Sequence, residues 1–384
     1  MHFELSDEQR AVREMARKFA EEFIVPVARE NDVHERFPGD ILQKLGEVGL
    51  LGGPVPMEYG GAGLDYISHA LVTEEIGKAC SSVRTTISVQ LSLVELSLAR
   101  WGSEEQKRRY LPQLCRGQLL GCFGLTEPNA GSDPAGMETT AVADGDHWVL
   151  NGCKTWISNG GVAGLALIFA QADKSKGHRG IGAFLVDRNT PGFSTRDIHG
   201  KLGLRSSNTA ELILDECRIP KDQVLGKVNE GFNVAMSALD NGRYSVAAGC
   251  VGICQGCVEA SVRYAKERKQ FGRPIGSFQL VQDLIARMIV DTEAARLLVF
   301  RAGHLKNQGV RCSREVSIAK YFASEAAVRG ALDAIQVHGS YGYSNEYPVE
   351  RYLRDAKVAT IYEGTSQIQK LLIASHDLGI RAFT

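Results

Sequence analysis

The sequence has almost no excess of charge of either sign: 44 lysines and arginines stand against 45 aspartates and glutamates, a net charge of -1. Proteins that hold nucleic acid or an anionic membrane electrostatically carry a basic surplus, so neither partner is expected. No apolar run approaches the ~20 residues of a membrane span, which predicts no membrane segment. The acidic start, residues 1–9, enters a helix directly and predicts no secretory or transit peptide.

The nine cysteines form neither an even set nor a complete metal-ligand pattern. Their odd number and scatter predict a reducing compartment, either the cytoplasm of a bacterium or the mitochondrial matrix for a processed eukaryotic form. Cys254 and Cys257 make one C-x-x-C, with Cys250 a helical turn earlier. Neither a second such pair nor a nearby pair of histidines completes a four-ligand set, so no metal site is expected. The small residues around these cysteines indicate a close approach of two helices instead.

At 384 residues the chain is too long for one compact core, and its periodicity changes twice. Residues 1–120 indicate an N-terminal helical domain, residues 121–230 a middle β domain (a small barrel or sandwich), and residues 231–384 a C-terminal four-helix bundle. The predicted fold class is therefore α+β. The glycine-rich loop 54–63 lacks the G-x-G-x-x-G spacing and follows no strand, which excludes a Rossmann unit.

Apolar periodicity predicts the individual helices and strands. The expected helices are one from Ser6 with Pro26 near its end, then 40–50, 67–78, 85–101, a basic helix from Ser103 that ends at Pro112, 231–268, 276–308, 314–338 and a last one after Thr365. The expected strands are 147–150, 164–171, 181–186 and 210–214.

Near the C-terminus one carboxylate stands between an aromatic residue and a glycine, in the sequence Ile-Tyr-Glu-Gly-Thr of residues 361–365. A glutamate on a tight turn beside an apolar wall gains a raised pKa and suits removal of a proton next to a carbonyl group. Glu363 is therefore a candidate general base. The alternative is a turn glutamate before the last helix, with Thr365 or Ser366 as its N-cap.

Two segments of the middle region offer groups to a planar cofactor. The loop 123–133 leaves a strand and presents backbone N–H groups and hydroxyls, which suit a ring edge and a pyrophosphate; a surface turn is the alternative. In segment 152–160, Trp156 lies near the hydroxyl of Ser158 on a strand, where an indole packs against a ring face. A core position is the alternative for Trp156.

Two further segments lie at helix ends. Segment 267–274 ends a helix with glycine and proline, and its Arg268 is a candidate binding residue. The alternative is that Arg268 is a solvated charge that interacts favourably with the helix dipole. Segment 336–343 is a helix-terminating glycine turn with exposed N–H groups, in which His338 is expected to be structural.

These four segments and residues 361–365 are five separated motifs that, in this order, resemble the acyl-CoA dehydrogenase family over nearly the whole chain. The resemblance implies an α–β–α layout and FAD as cofactor. By the same resemblance the cofactor-binding residues are Phe123, Leu125, Thr126, Gly131, Ser132, Trp156, Ile157, Ser158, Arg268, Gln270, Phe271, Gln279, Gln336, Val337, Gly339, Ser340, Thr365 and Gln367. The family usually has paired glycines where this chain has Gly339 and Ser340.

The resemblance also implies the chemistry, which is α,β-dehydrogenation of an acyl-CoA thioester to the trans-2-enoyl-CoA. Glu363 matches the base that takes the α-proton while the β-hydride passes to the flavin, and an electron-transfer flavoprotein then accepts the electrons. Some family branches carry the base instead on the helix that contains residues 239–243, at the position of Gly242, which has no side chain here. The residues that match the substrate pocket are Ser132, Asp240, Arg243 and Gly364.

The acyl group is indicated by a lone arginine at the start of an apolar helix. Arg84 and Ser88 match the residues that bind the far carboxylate in glutaryl-CoA dehydrogenases, and segments 120–129 and 380–384 look most like that branch. A bidentate guanidinium suits a buried carboxylate, so glutaryl-CoA or a similar acidic short acyl-CoA is the expected substrate. The alternative for Arg84 is a helix cap or a side chain that reaches solvent.

Two features of the sequence depart from the glutaryl-CoA branch. Gly77 stands where that branch has an acidic residue, seven positions before the arginine. Segments 239–244 and 342–357 look closer to short-chain and to branched or cyclic acyl-CoA dehydrogenases. A short-chain, branched or alicyclic acyl-CoA, or an acyl group on a carrier protein, therefore remains an alternative substrate. The resemblance further implies a homotetramer, a dimer of dimers, in which Arg268 reaches the flavin of a neighbouring subunit.

Overall fold

The computed structural model describes residues 4–382. Residues 1–3 of the acidic start and residues 383–384 at the end of the segment compared with the glutaryl-CoA branch lie outside the described residues. The chain forms a helical N-terminal part, a middle sheet and a helical C-terminal part, so the predicted α+β fold class is confirmed. Clusters of buried apolar side chains fill the N-terminal helices, the junction of helices and sheet, the sheet itself and the C-terminal helices.

From residue 4 onward, seven α-helices precede the sheet. They are α1 (Asp7–Phe19), α2 (Val25–Val33), α3 (Gly39–Glu47), α4 (Tyr66–Ala79), α5 (Ser81–Ile87), α6 (Leu96–Trp101) and α7 (Glu104–Cys115). Ser6 and Ser103 begin α1 and α7 through capping boxes with Gln9 and Gln106, which satisfy free N–H groups at each helix start. A π-helical stretch, Ser88–Glu95, joins α5 to α6, so the helix expected from residue 85 begins four residues earlier, at Ser81.

Two prolines that were expected at helix ends lie inside helical segments. A π-helical turn, Ala20–Ile24, connects α1 to α2, and Pro26 occupies the first turn of α2, where its missing N–H costs little. The prediction that α7 ends at Pro112 is wrong, because the helix continues to Cys115. Leu114 and Cys115 are fully buried, and their burial offsets the hydrogen bond that the proline removes.

The middle part is one seven-stranded sheet. Its strands are β1 (Gly121–Gly124), β2 (Thr140–Asp144), β3 (His147–Ser158), β4 (Leu165–Gln171), β5 (Ile181–Asp187), β6 (Phe193–Asp197) and β7 (Thr209–Pro220). The order is β1-β4-β2-β3-β7-β6, with β5 paired to β4, and β1 runs parallel to β4. The four expected strands correspond to parts of β3, β4, β5 and β7, and β1 is the strand expected before the loop 123–133, whereas β2 and β6 were not predicted.

Five α-helices complete the described part of the chain, up to residue 382. They are α8 (Gly231–Glu267), α9 (Gln279–Asn307), α10 (Ser313–His338), α11 (Val349–Ala359) and α12 (Ser366–Leu378). Helices α8, α9 and α10 pack on one another and α12 packs on α10, in agreement with the predicted bundle, whereas α11 was not predicted. Segment Val228–Glu267 is long and apolar enough by composition to cross a membrane, and 72% of its most apolar window is buried inside the protein.

Helices α4 and α8 approach each other closely along glycines. A Cβ atom added to Gly77 would come within 2.9 Å of the backbone oxygen of Gly249, and one added to Gly252 would overlap the backbone of Glu74. Cys250, like its neighbours at positions 254 and 257, is buried in this helix, and burial raises the pKa of its thiol to about 11. The cysteine-bearing part of α8 therefore serves a close helix contact, as its small residues indicated.

Candidate active site

Glu363 lies on the short turn between α11 and α12. Its backbone is left-handed, with φ of 55°, and is followed by Gly364 with φ of 90°. A left-handed conformation costs a residue with a side chain about 1–2 kcal/mol, so the surrounding structure must hold it. Thr365 is the N-cap of α12, its Oγ1 accepting from the N–H of Ile368 at 3.2 Å. The capping role predicted as an alternative thus falls to Thr365, and the carboxylate of Glu363 is free for another use.

That carboxylate lies directly over Gly242 of α8. A Cβ atom built on Gly242 would overlap the carboxylate oxygens of Glu363, so any larger residue here would displace the carboxylate from this position. The Oε2 atom of Glu363 is buried and makes no hydrogen bond to the described residues. Burial raises the pKa of Glu363 to about 7, while the charges of Arg243, Lys320 and Arg84 act in the opposite direction. A carboxylate with this pKa is suited to accept a proton at neutral pH.

The backbone of the turn is fixed by three long side chains. Arg243 donates from Nε to the carbonyl of Glu363 at 3.0 Å, and its Nη1 pairs with Asp240 at 3.2 Å. Gln369 donates to the carbonyls of Glu363 and Gly364, each at 3.1 Å. Lys320 of α10 donates to the carbonyl of Gly364 at 2.7 Å. These bonds oppose the left-handed strain and set the direction of the Glu363 side chain.

Lys320 and Gln369 were not singled out from the sequence. A lysine in the middle of a helix is ordinarily a solvated charge. The available signal was helical spacing, because Lys320 lies four residues after Val316 and three before Ala323, both fully buried. Lys320 therefore shares the buried face of α10.

Arg84 is buried on the same side of the molecule, with 1% of its surface exposed. Its Nη2 donates to the hydroxyl of Tyr362 at 2.7 Å, while Nε and Nη1 are buried without a partner among the described residues. The guanidinium stem packs on Gly249, where an added Cβ would come within 2.6 Å of it. A helix cap or a solvent-reaching side chain was the alternative for Arg84, and its burial contradicts both. A buried cation with two free N–H directions is suited to an acidic ligand.

Ser88 lies one helical turn after Arg84 and faces α8, where its Oγ and the Oγ of Ser245 share a hydrogen bond of 2.7 Å. The acidic residue that the glutaryl-CoA branch carries has no room at position 77 in this chain, because Gly77 touches the backbone of Gly249. Arg84 is paired with the phenol of Tyr362.

The first two predicted cofactor segments form one unit. The N–H of Thr155 donates to the carbonyl of Thr126 at 3.0 Å, which joins β3 to the loop after β1. Beneath them Lys154, fully buried, pairs with Glu127 at 2.6 Å. Glu127 also accepts from the backbone N–H groups of Glu138 and Thr139. The loop that carries Thr126 is therefore anchored by a buried ion pair.

Trp156 projects from this unit with 62% of its surface exposed and φ of 59°. The core position that was its alternative is contradicted. Thr126 and Ser158 are half-buried and Ser132 is exposed, while open space surrounds Gly131. The side chains of Phe123, Leu125 and Ile157 belong to the cores behind this surface.

The third and fourth segments form a second surface. The Arg268 guanidinium lies 5.6 Å from the ring centre of Tyr341, and Phe271 is 92% exposed with φ of 52°. Around them Gln270, Gln279, Gln336, Gly339 and Ser340 are exposed, and Val337 is buried. His338 is buried and stacks on Tyr264 at 4.4 Å, as expected of a structural residue. No hydrogen bond joins this surface to the Trp156 unit within residues 4–382.

Comparison with known protein families accounts for all three parts of the chain. Residues 6–118, 122–217 and 229–377 match the N-terminal, middle and C-terminal domains of acyl-CoA dehydrogenase. The chain belongs to the acyl-CoA dehydrogenase family. Members of this family are FAD-dependent oxidoreductases, so the enzyme class and the cofactor inferred from the sequence are confirmed.

Relatives align over nearly their whole length. The acyl-CoA dehydrogenase of Bacillus subtilis is 46% identical, over 98% of this chain and 99% of the relative. The short-chain-specific acyl-CoA dehydrogenase of Clostridium acetobutylicum is 44% identical, over 97% and 99%. The glutaryl-CoA dehydrogenase of Desulfococcus multivorans is 42% identical, over 99% of each chain. The identities to the short-chain and glutaryl-CoA branches differ too little to choose between them.

Solved structures share the fold. One similar chain comes from a structure of the electron transferring flavoprotein of Acidaminococcus fermentans, a study of flavin-based electron bifurcation. It superposes with a TM-score of 0.97 at 44% identity, covering 98% of this chain and 100% of that one. A glutaryl-CoA dehydrogenase of Mycobacterium smegmatis in complex with FADH2 superposes with a TM-score of 0.95 at 35% identity, covering 99% and 97%.

The Trp156 surface of this acyl-CoA dehydrogenase family member fits FAD. An exposed indole in a left-handed backbone is costly to a protein in water, and a planar apolar ring packed against it would remove that cost. Hydroxyls and open backbone lie beside the indole at Thr126, Ser158 and Gly131, which suits the polar edge of a ring and a phosphate chain.

Proposed function

We propose that this protein is an FAD-dependent acyl-CoA dehydrogenase that acts on a short acyl thioester with a carboxylate at its far end, with glutaryl-CoA as the best candidate. The observation that carries this proposal is that a carboxylate with a buried oxygen and a buried guanidinium lie close together in the fold. The carboxylate of Glu363 lies unpaired over Gly242, and the guanidinium of Arg84 reaches the neighbouring Tyr362 with two free N–H directions.

In the proposed reaction Glu363 is the catalytic base. Its carboxylate removes the α-proton of the acyl group and becomes a carboxylic acid, so a carbon–carbon double bond forms as the β-hydrogen leaves. FAD, when bound, supplies the acceptor for the hydride that leaves the β-carbon. Negative charge develops on the thioester oxygen as the α-proton departs, and the backbone N–H of Glu363 is the donor we assign to it. Arg243 and Asp240 line the thioester pocket beside Gly364.

Arg84 and Ser88 are the residues we assign to the far carboxylate of the substrate. A guanidinium fixed by Tyr362 and by the backbone of Gly249 is preorganised, so little side-chain entropy is lost when it binds an anion. A relative that is 42% identical over 99% of each chain is a glutaryl-CoA dehydrogenase, which is compatible with this substrate class.

An uncharged short-chain, branched or alicyclic acyl-CoA is the second candidate, and a carrier-bound acyl group is a third. The observation that favours the second candidate is that Arg84 already has a partner, Tyr362, and lacks the nearby acidic residue of the glutaryl-CoA branch. In that case Arg84 is a structural partner of the tyrosine. The 44% identity to a short-chain-specific enzyme supports it.

We propose that an electron-transfer flavoprotein accepts the electrons from the reduced flavin. The similarity to a chain in the Acidaminococcus structure supports this assignment. A homotetramer completed by a partner's Arg268 at each flavin is supported by the exposed surface around Phe271. Bacterial and mitochondrial relatives support the cytoplasm or the mitochondrial matrix as the compartment.

The test is an anaerobic titration of the purified yellow protein with glutaryl-CoA, butyryl-CoA, isobutyryl-CoA and cyclohexanecarbonyl-CoA, in which bleaching of the flavin is followed. Bleaching by glutaryl-CoA that is lost in Arg84→Ala would support the acidic substrate. Bleaching by the uncharged esters alone would contradict it and favour the second candidate, and bleaching by none would favour a carrier-bound group.

The Glu363→Gln variant is expected to keep the flavin and to be bleached at least about 1,000-fold more slowly, on the order of removing a catalytic group. Retained bleaching would remove Glu363 from its role.

A further inference from the structure

Lys320 is a charged side chain that the proposed reaction leaves without a role. It lies in the middle of α10 with none of its surface exposed. Its Nζ donates to the carbonyl of Gly364 at 2.7 Å, directly after Glu363. An ammonium group removed from water is expensive unless it is compensated, and the one hydrogen bond found for it goes to this turn. A lysine in such a place is therefore connected to the turn more than to any other part of the chain.

The groups around Lys320 come from three elements. Cys250 and Arg243 face it from α8, Glu363 from the turn and Glu325 from its own helix. Burial lowers the pKa of Lys320 to about 8, and Glu363 and Glu325 act in the opposite direction. The ammonium form therefore predominates at pH 7. The same charge acts on Glu363, where Lys320 lowers the pKa of the carboxyl group against the effect of burial.

We propose that Lys320 is a positioning residue for Glu363: its ammonium group holds the carbonyl of Gly364, so that the left-handed turn aims the carboxylate over Gly242, and its charge keeps that carboxylate ionised near neutral pH. The inference rests on the proposed role of Glu363 as base. It assigns two separable contributions to one side chain, a hydrogen bond and a charge.

The alternative is that Lys320 only satisfies a buried carbonyl group, which any donor of similar length would do. In that case, replacing Lys320 by an uncharged donor would leave the ionisation of Glu363 unchanged. The two roles are separated by three substitutions in the holoenzyme. Lys320→Met loses the donor and the charge, Lys320→Gln keeps a donor without the charge, and Lys320→Arg keeps both. The exposed Lys370 of α12 provides the matched control, Lys370→Met.

The measurement is the rate of flavin bleaching by the substrate found above, under anaerobic conditions, from pH 5.5 to 9.5. For Lys320→Gln and Lys320→Met we expect the acidic limb to move to higher pH by about one unit, because the charge that favours ionised Glu363 is gone. At the alkaline plateau Lys320→Gln is expected to regain most of the wild-type rate and Lys320→Met to stay about tenfold slower. Lys320→Arg and Lys370→Met are expected to keep the wild-type midpoint.

An unchanged midpoint in Lys320→Gln would overturn the charge contribution and with it the proposal, whether or not Lys320→Met folds. The flavin content and melting temperature of each variant report on folding. Glu363→Gln is measured in parallel: if it retains bleaching, the proposed function fails, whereas loss of bleaching in Glu363→Gln with wild-type midpoints in the Lys320 variants overturns this inference alone.

Discussion

At the scale of single residues, the carboxylate of Glu363 is held where water does not reach its Oε2, and burial raises its pKa to about 7 from an ordinary value of 4.5. A carboxyl group whose pKa is raised on folding contributes stability that is fully present below the unfolded-state pKa and is lost as the pH rises through the folded-state pKa. The free energy of unfolding is therefore expected to fall as the pH rises from about 4.5 to about 7, because Glu363 loses its proton in a site that disfavours the charge.

Replacement of Glu363 by glutamine is expected to stabilise the protein at alkaline pH, by up to about 3 kcal/mol, because the amide has no charge to desolvate. At pH 5 the wild-type carboxyl is protonated in the folded state, and the two proteins are expected to melt close together. Thermal unfolding of both proteins at pH 5 and pH 8 measures the difference. A gap of equal size at both pH values would contradict this linkage.

A second residue-scale prediction concerns Gly242. Gly242→Ala places a methyl group where the carboxylate lies, so Glu363 must move and flavin bleaching is expected to slow by at least about 100-fold. The control is Gly330→Ala on α10, where the nearest atom to an added Cβ lies 3.8 Å away. This control adds the same group to a helix with room for it, and is expected to keep the rate. A wild-type rate in Gly242→Ala would show that the carboxylate has another productive position.

At the scale of elements, β1 and β3 meet through the buried pair Lys154–Glu127, with the Trp156 surface just above. Removing one partner of a buried ion pair leaves an uncompensated charge and costs about 3–5 kcal/mol. Lys154→Met is therefore expected to lower the free energy of unfolding by this amount and to weaken FAD retention. The double variant Lys154→Met/Glu127→Gln is expected to recover much of both, as measured by denaturant unfolding and by FAD titration of the apoprotein. Equal losses in the single and double variants would contradict this account.

The two strands that sequence patterns missed share a physical cause. Strand β2 has one fully buried residue, Ala141, and β6 (Phe193–Asp197) has none, so neither shows the alternation that marks a strand. Helix α11 has an amphipathic pattern of its own, but it follows directly on a glycine turn that was interpreted as a cofactor-binding segment, and no separate helix was predicted there. The long helices α8, α9 and α10 were predicted because their apolar periodicity extends over many turns.

The site residues that the sequence predicted are those whose type and neighbours indicate a particular chemistry. A glutamate between tyrosine and glycine, or an arginine among apolar residues, has few common uses. Lys320 and Gln369 were missed because their role depends on which backbone carbonyl they meet across the fold, 44 residues away in one case and six in the other. Such a contact has no local signature beyond burial on a helix face.

At the scale of the whole molecule, the segments around Arg268 and residues 339–343 carry large exposed aromatic side chains, with Phe271 and Tyr343 about nine-tenths exposed. Large exposed aromatic side chains on one surface are typical of an interface. A second copy that covers this surface would bring its Arg268 to the first copy's cofactor, as the family resemblance implies.

The expectation is that Phe271→Ser weakens self-association and lowers the FAD content of the purified protein together. Light scattering coupled to size exclusion measures the mass, and absorbance measures the flavin. The control is Met57→Ser, which removes a comparably exposed apolar side chain, 77% accessible, from the N-terminal part. Loss of mass without loss of flavin would separate assembly from cofactor binding.

The bare backbone at Gly242 also restricts how this enzyme can change over evolutionary time. A side chain at 242 and the carboxylate of Glu363 in its present position occupy the same volume, so a base at either location disfavours a base at the other. A lineage that moves its base between the turn at residue 363 and helix α8 would pass through a protein with two adjacent acids or with none. The glycine at 242 therefore favours keeping the base at 363 through successive single substitutions.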